Sequence, residues 1–85
     1  MKIVKSASAL CGNIKTYYVL IKEEHEGRSA YSLIISERSE ARTLFDIAHS
    51  RKEAVRLFFL FVKNKVLPAE ALYVFDDACG GMQTV

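Results

Sequence analysis

The chain has 85 residues, 51% apolar and 26% charged, with one proline and four glycines. That balance fits a single small core and excludes collagenous, low-complexity and strongly disordered classes. Twelve Lys/Arg against ten Asp/Glu leave a net charge of +2, too small an excess to imply a polyanionic partner, and no like-charge run forms an interaction tail.

Residues 1–13 show no clean apolar period. Ser6 to Ala9 and Gly12-Asn13 read as a loosely ordered lead-in to one domain covering 1–85. Early lysines and Cys11 after small residues invite a lipoprotein signal. The apolar stretch is short, however, and broken by Lys5, Ser6 and Ser8, and Leu10 is a poor residue before a cleavage site. No segment approaches the ~20 apolar residues of a transmembrane helix. A cytoplasmic protein with no membrane partner is expected.

Ile14 to Glu23 is rich in Tyr, Val, Ile and Leu, a strand signal. Tyr17, Val19 and Ile21 share one face, Tyr18 and Leu20 the other. Gly27, in the polar Glu24-His25-Glu26-Gly27-Arg28 connection, can take positive φ, so a hairpin follows. The second strand runs from Ser29 to Ser36, with Tyr31, Leu33 and Ile35 alternating against Ala30, Ser32 and Ile34. After a charged turn at Glu37 to Glu40, Ala41 to Ala48 reads as a third strand. It would set Thr43, Phe45 and Ile47 against Arg42, Leu44 and Asp46.

Ser50-Arg51-Lys52-Glu53 matches a capping box opening a helix that runs to about Asn64. Pro68 suits the first position of a second helix, although Leu67 is a poor cap. Cys79-Gly80-Gly81 offers a glycine C-cap, and 82–85 read as a frayed tail. On the first helix, Val55, Phe58, Phe59, Val62 and Val66 form a stripe suited to packing on a sheet. Leu57, Phe61 and Ala54 widen it to an apolar arc of roughly 200°, where a surface helix needs about 100°. The remaining sector carries Lys52, Arg56 and Lys63, with Leu60 among them; the second helix has an acidic side of Glu70, Asp76 and Asp77.

Chemistry-bearing motifs are missing: no GxGxxG, GxxxxGK[ST], HExxH or GxSxG occurs. Cys11 and Cys79 form no CxxC and read as reduced thiols. His25 and His49 fall in a turn and just before a helix cap. Asp46 and His49, three apart, could approach each other without a nucleophile at triad spacing. Asp76-Asp77 point about 100° apart on a helix and make a poor metal pair. The expectation is no enzyme, no metal and no cofactor.

The run Tyr17-Tyr18-Val19-Leu20-Ile21-Lys22-Glu23, then Tyr31-Ser32-Leu33-Ile34-Ile35, Phe45-Asp46-Ile47-Ala48 and the proline-opened helix Pro68 to Asp77 resembles a family of short bacterial proteins of unassigned function. The likeness covers about residues 15–78. Its motifs are mainly hydrophobic pattern, and Leu67 stands where such proteins often place a cap residue such as serine. The resemblance implies an α+β architecture and carries no activity.

The fold expected is α+β, a three-stranded antiparallel sheet followed by two helices packed on one face. The expected function is a small protein-interaction module, self-associating or binding another protein, because the apolar surface exceeds what so few elements need. Tyr18 and Leu20 on an open sheet face, and Leu57 and Phe61 on the flank of the first helix, are the candidate interface residues. A weak nucleic-acid binder using Lys52, Arg56 and Lys63, with Tyr17 or Tyr31 as stacking platforms, is the first alternative. A small-molecule-binding regulatory domain is the second.

Overall fold

A computed structural model describes residues 1–79. Four strands come first, β1 (Lys2–Cys11), β2 (Ile14–His25), β3 (Arg28–Ser36) and β4 (Ala41–Ala48). Helix α1 (Arg51–Lys63), a 3-10 turn (Pro68–Glu70) and helix α2 (Ala71–Cys79) follow. The strands form one antiparallel sheet in the order β1-β2-β3-β4. The architecture is therefore α+β with an antiparallel sheet and then two helices, but the sheet has four strands where three were expected. The glycines at 80 and 81 and the tail at 82–85 lie outside the described residues.

The extra strand is the segment read as a lead-in. Its inward positions Ala7 and Ala9 face Tyr18 and Thr16 of β2, so β1 alternates alanine with serine and leaves little trace in an apolar count. A two-residue hairpin joins it to β2. Cys11 pairs with Ile14, and Gly12 takes φ +67° at the first turn position, as a II′ turn requires. The β2–β3 hairpin closes on His25 and Arg28 with both central residues, Glu26 and Gly27, at positive φ, the I′ pattern that matches strand twist.

Strand β4 departs from simple alternation. Leu44 pairs with Leu33 and Ala48 with Tyr31, so three residues of β4 oppose Ser32 alone. Asp46, at φ +54°, takes up the excess and donates its backbone N–H to Ser32 Oγ at 3.1 Å. Leu44 and Ile47 are consequently both buried while Phe45 is exposed. The expected grouping of Phe45 with Ile47 on one face is corrected by this bulge.

Helix α1 crosses all four strands. Ser50 caps it by accepting from the Glu53 N–H, while the Glu53 carboxylate turns to Arg56 on the next turn, which holds that carboxyl below its usual range. The inward residues are Ala54, Leu57, Phe58 and Phe61, an i, i+3, i+4, i+7 set. The expected stripe through Phe59 was rotated from this one. Phe59 is exposed, with the Lys5 ammonium 5.6 Å from its ring centroid.

The helix stops in a Schellman arrangement. Lys65 adopts φ +52°, its N–H donates to Val62 C=O, and the Val66 N–H donates to Phe61 C=O. The chain thereby re-enters the core, with Val66 buried and its carbonyl accepting from the Tyr18 hydroxyl at 2.9 Å. The Pro68 turn has no side-chain cap from Leu67. Instead the Glu70 carboxylate accepts the Leu67 N–H at 3.0 Å.

Candidate functional site

Tyr18, Leu20, Leu57 and Phe61, the candidate interface residues, are all core. Each is at most 1% exposed, and they form one cluster with Leu33, Ile35 and Phe58. The register supplies the reason: Tyr18 and Leu20 sit opposite Ile35 and Leu33, the heavier apolar parity of β3, and α1 packs on that side. As surface contacts these four are corrected to interior packing. Tyr31 is buried with them and offers no stacking platform. Lys52, Arg56 and Lys63 do lie on the exposed side of α1, with Arg56 engaged by Glu53.

The surface left for a partner is the opposite face of the sheet. Cross-strand register builds it in rows: Ile3, Ile21 and Ser32; then Ser6, Val19, Ile34 and Thr43; then Ser8, Tyr17, Ser36 and Ala41. Phe45 continues this face two residues beyond Thr43, and Leu10 continues it two beyond Ser8. Phe45 is 74% exposed, Ile3 66%, Leu10 61% and Tyr17 48%. Ile21 is buried here yet stands apart from the main core cluster, so this face shields apolar surface of its own.

Polar groups sit at the two ends of this face. At one end the Lys15 ammonium is 5.6 Å from the Tyr17 ring centroid, and a cleft of about 580 Å³ joins Lys15 and Tyr17 to Glu37 and Arg38 of the β3–β4 turn. Ser39 donates to the Glu37 carboxylate from both its hydroxyl and its backbone N–H, holding that carboxyl below its usual range. At the other end Glu23 shares the parity of Ile21 and pairs with Ala30.

A second concavity, about 640 Å³, opens between the end of α1 and α2, lined by Leu60, Val66, Tyr73 and Val74 with Glu70 and Asp77 at its acidic side. The Cys11 thiol lies 3.6 Å from the Tyr18 hydroxyl. Burial, and then this contact, push the Tyr18 phenol above its ordinary range. His49 and Asp46 approach to 3.7 Å on exposed positions. Among the described residues no three His, Cys, Asp or Glu side chains gather as a metal site, and no helix is long and apolar enough to cross a membrane.

Sequence reasoning placed β2, β3 and β4 but chose the wrong parity as the free surface. The signal that resolves it was present. Tyr31, Leu33 and Ile35 outweigh Ala30, Ser32 and Ile34, and the antiparallel register then commits Tyr18 and Leu20 inward, leaving Tyr17 and Val19 outside. Ile3, Leu10 and Phe45 carried no such signal, because β1 and the β4 bulge were themselves unread. No protein-family model, curated protein or solved structure matches the chain.

Proposed function

We propose that this chain is a small protein-interaction module that associates with itself through the uncovered face of its sheet. The observation that carries the reading is the set Phe45, Ile3, Leu10 and Tyr17, large apolar or aromatic side chains about half or more exposed on one face of the sheet. Large apolar side chains exposed together on one face mark interaction sites in soluble proteins, and an antiparallel sheet covered on one side leaves its other face open to a partner. Aromatic anchors such as Tyr17 and Phe45 give contact area at low entropic cost.

Size-exclusion chromatography with light scattering across a dilution series tests this. The wild type is expected to show a dimer or larger species that dissociates on dilution. Phe45→Glu and Ile3→Glu are each expected to give monomers with an unchanged far-UV circular dichroism spectrum. A wild type that stays monomeric into the high-micromolar range would overturn self-association.

One observation favours nucleic acid as a second reading: Lys15 lies over the exposed Tyr17 ring and Arg38 lines the same cleft, a cation–aromatic grouping that can stack a base and hold a phosphate. It shifts the relevant residues from Lys52, Arg56 and Lys63 to the sheet. Phosphate contacts weaken steeply as salt rises, whereas apolar association does not.

A further inference from the structure

We infer that the partner on this face is a second copy of the chain, docked sheet against sheet about a two-fold axis that runs across the strands, so that Lys15 of each copy meets Glu23 of the other. The inference rests on the self-association reading above and adds the geometry.

Along β2, Lys15 and Glu23 stand four residues either side of Val19 with the same parity. At the strand rise of about 3.3 Å per residue, each is about 13 Å from the central row. Two sheets packed face to face can be related by a two-fold axis along the strands or across them. An axis along the strands lays β2 over β3. Tyr17 pairs with Ser36, where β3 ends, so Lys15 then lies over the partner's β3–β4 turn, where Glu37 and Arg38 stand together, and the register fixes no cation–carboxylate pair.

An axis across the strands at Val19 instead lays each strand over its own copy in reverse. Lys15 then opposes Glu23, twice by symmetry, and Tyr17 opposes Ile21. The same rotation brings the row holding Ile3 over the row holding Ser8, and Phe45 toward Ala41. Ile3 and Phe45 thereby face small residues, to within the ~30° at which twisted sheets cross.

The dimensions fit a modest dimer. Four strands about 4.8 Å apart, over the length from Lys15 to Glu23, present roughly 500 Å² per copy. The total of about 1,000 Å² is at the threshold a specific interface has to clear and fits a weak, dilution-sensitive dimer. The chain measures only 19 Å across its thinnest dimension, one helix layer on one sheet, so a second copy makes the sheet pair interior.

Charge reversal tests the geometry. Sedimentation equilibrium at ~50 mM salt, where surface charges are weakly screened, is run on wild type, Lys15→Glu, Glu23→Lys, the double variant, and a mixture of the two single variants. Each single variant is expected to weaken self-association roughly tenfold or more, because like charges meet at two symmetric sites. The double variant and the mixture are both expected to recover it, since opposite charges again face each other. Unchanged far-UV circular dichroism spectra establish that the fold is intact.

Failure of the double variant and the mixture to recover would overturn this docking. If the charge variants associate like wild type while Phe45→Glu is monomeric, the self-association reading stands and the docking falls. A monomeric wild type that instead binds a single-stranded oligonucleotide, with salt-steep affinity lost in Lys15→Glu, overturns both.

Discussion

Phe61 and Phe45 are the same side chain in opposite surroundings, and truncating each separates core from surface. Phe61 is fully buried on α1 against the sheet, whereas Phe45 stands out from the β4 bulge into solvent. A domain of this length has a total stability of roughly 4–13 kcal/mol. Emptying a buried phenylalanine site costs about 3–5 kcal/mol in lost transfer energy and cavity. Phe61→Ala is therefore expected to remove a large part of the stability, and Phe45→Ala to change it by less than about 0.5 kcal/mol.

With a urea slope near ~1 kcal/mol per molar for a small domain, the Phe61→Ala midpoint falls by about 3–5 M or the chain is unfolded without denaturant. The Phe45→Ala midpoint moves by less than about 0.5 M on the same slope. The chain has four tyrosines and no tryptophan, so tyrosine fluorescence and far-UV circular dichroism are the probes. Micromolar or lower protein keeps association from adding to the apparent stability. A Phe61→Ala midpoint equal to wild type, or a larger loss for Phe45→Ala, would refute the assignment of the helix face to the sheet.

Three further outcomes follow from local geometry. Lys65→Gly relieves a left-handed backbone at the end of α1 and is expected to stabilise by about 1 kcal/mol, raising the melting temperature by ~4–8 °C; a lowered melt would contradict the cap. Thr16→Val removes a buried hydroxyl that has no hydrogen-bond partner among the described residues and should stabilise by about 1 kcal/mol, so a loss in chemical denaturation would show that the hydroxyl is engaged. Tyr18 has its folded pKa raised by burial, so its contribution is complete below the unfolded value of about 10 and is lost as pH rises beyond it. Urea midpoints from pH 8 to 11 should fall more steeply for wild type than for Tyr18→Phe, which is also less stable at neutral pH because Val66 C=O loses its donor; parallel pH curves would argue against the linkage.

The sheet and helices were legible where local chemistry is unambiguous. The Tyr17 to Ile21 alternation, Gly27 at a left-handed turn position and Ser50 three residues before Glu53 each specify an element without reference to the rest of the chain. Edge strand β1 was hidden because its inward positions Ala7 and Ala9 are barely more apolar than Ser6 and Ser8, and its strand character comes from pairing with β2. The bulge at Asp46 was hidden because an aspartate at positive φ is an outcome of tertiary register. The candidate surface inverted for a similar reason. An apolar arc as wide as that of α1 fits several rotations on a sheet, and only the inward parity of β3 selects the one that buries Leu57 and Phe61.

The strict sequential order of the strands also bears on synthesis. Every strand is hydrogen-bonded to its chain neighbours alone, so the sheet can zip together in the order in which it leaves the ribosome, without waiting for a distant segment. Its lid comes afterwards. At ~5–20 residues per second, the segment from Ala48 through Val66 takes roughly one to four seconds more to make. During that interval a nascent sheet has both faces wet, with Tyr18, Leu20, Leu33 and Ile35 on one side and Tyr17 and Phe45 on the other. Helix α1, which touches all four strands, then closes the first side in a single event. The chain is most exposed to misassembly before that moment.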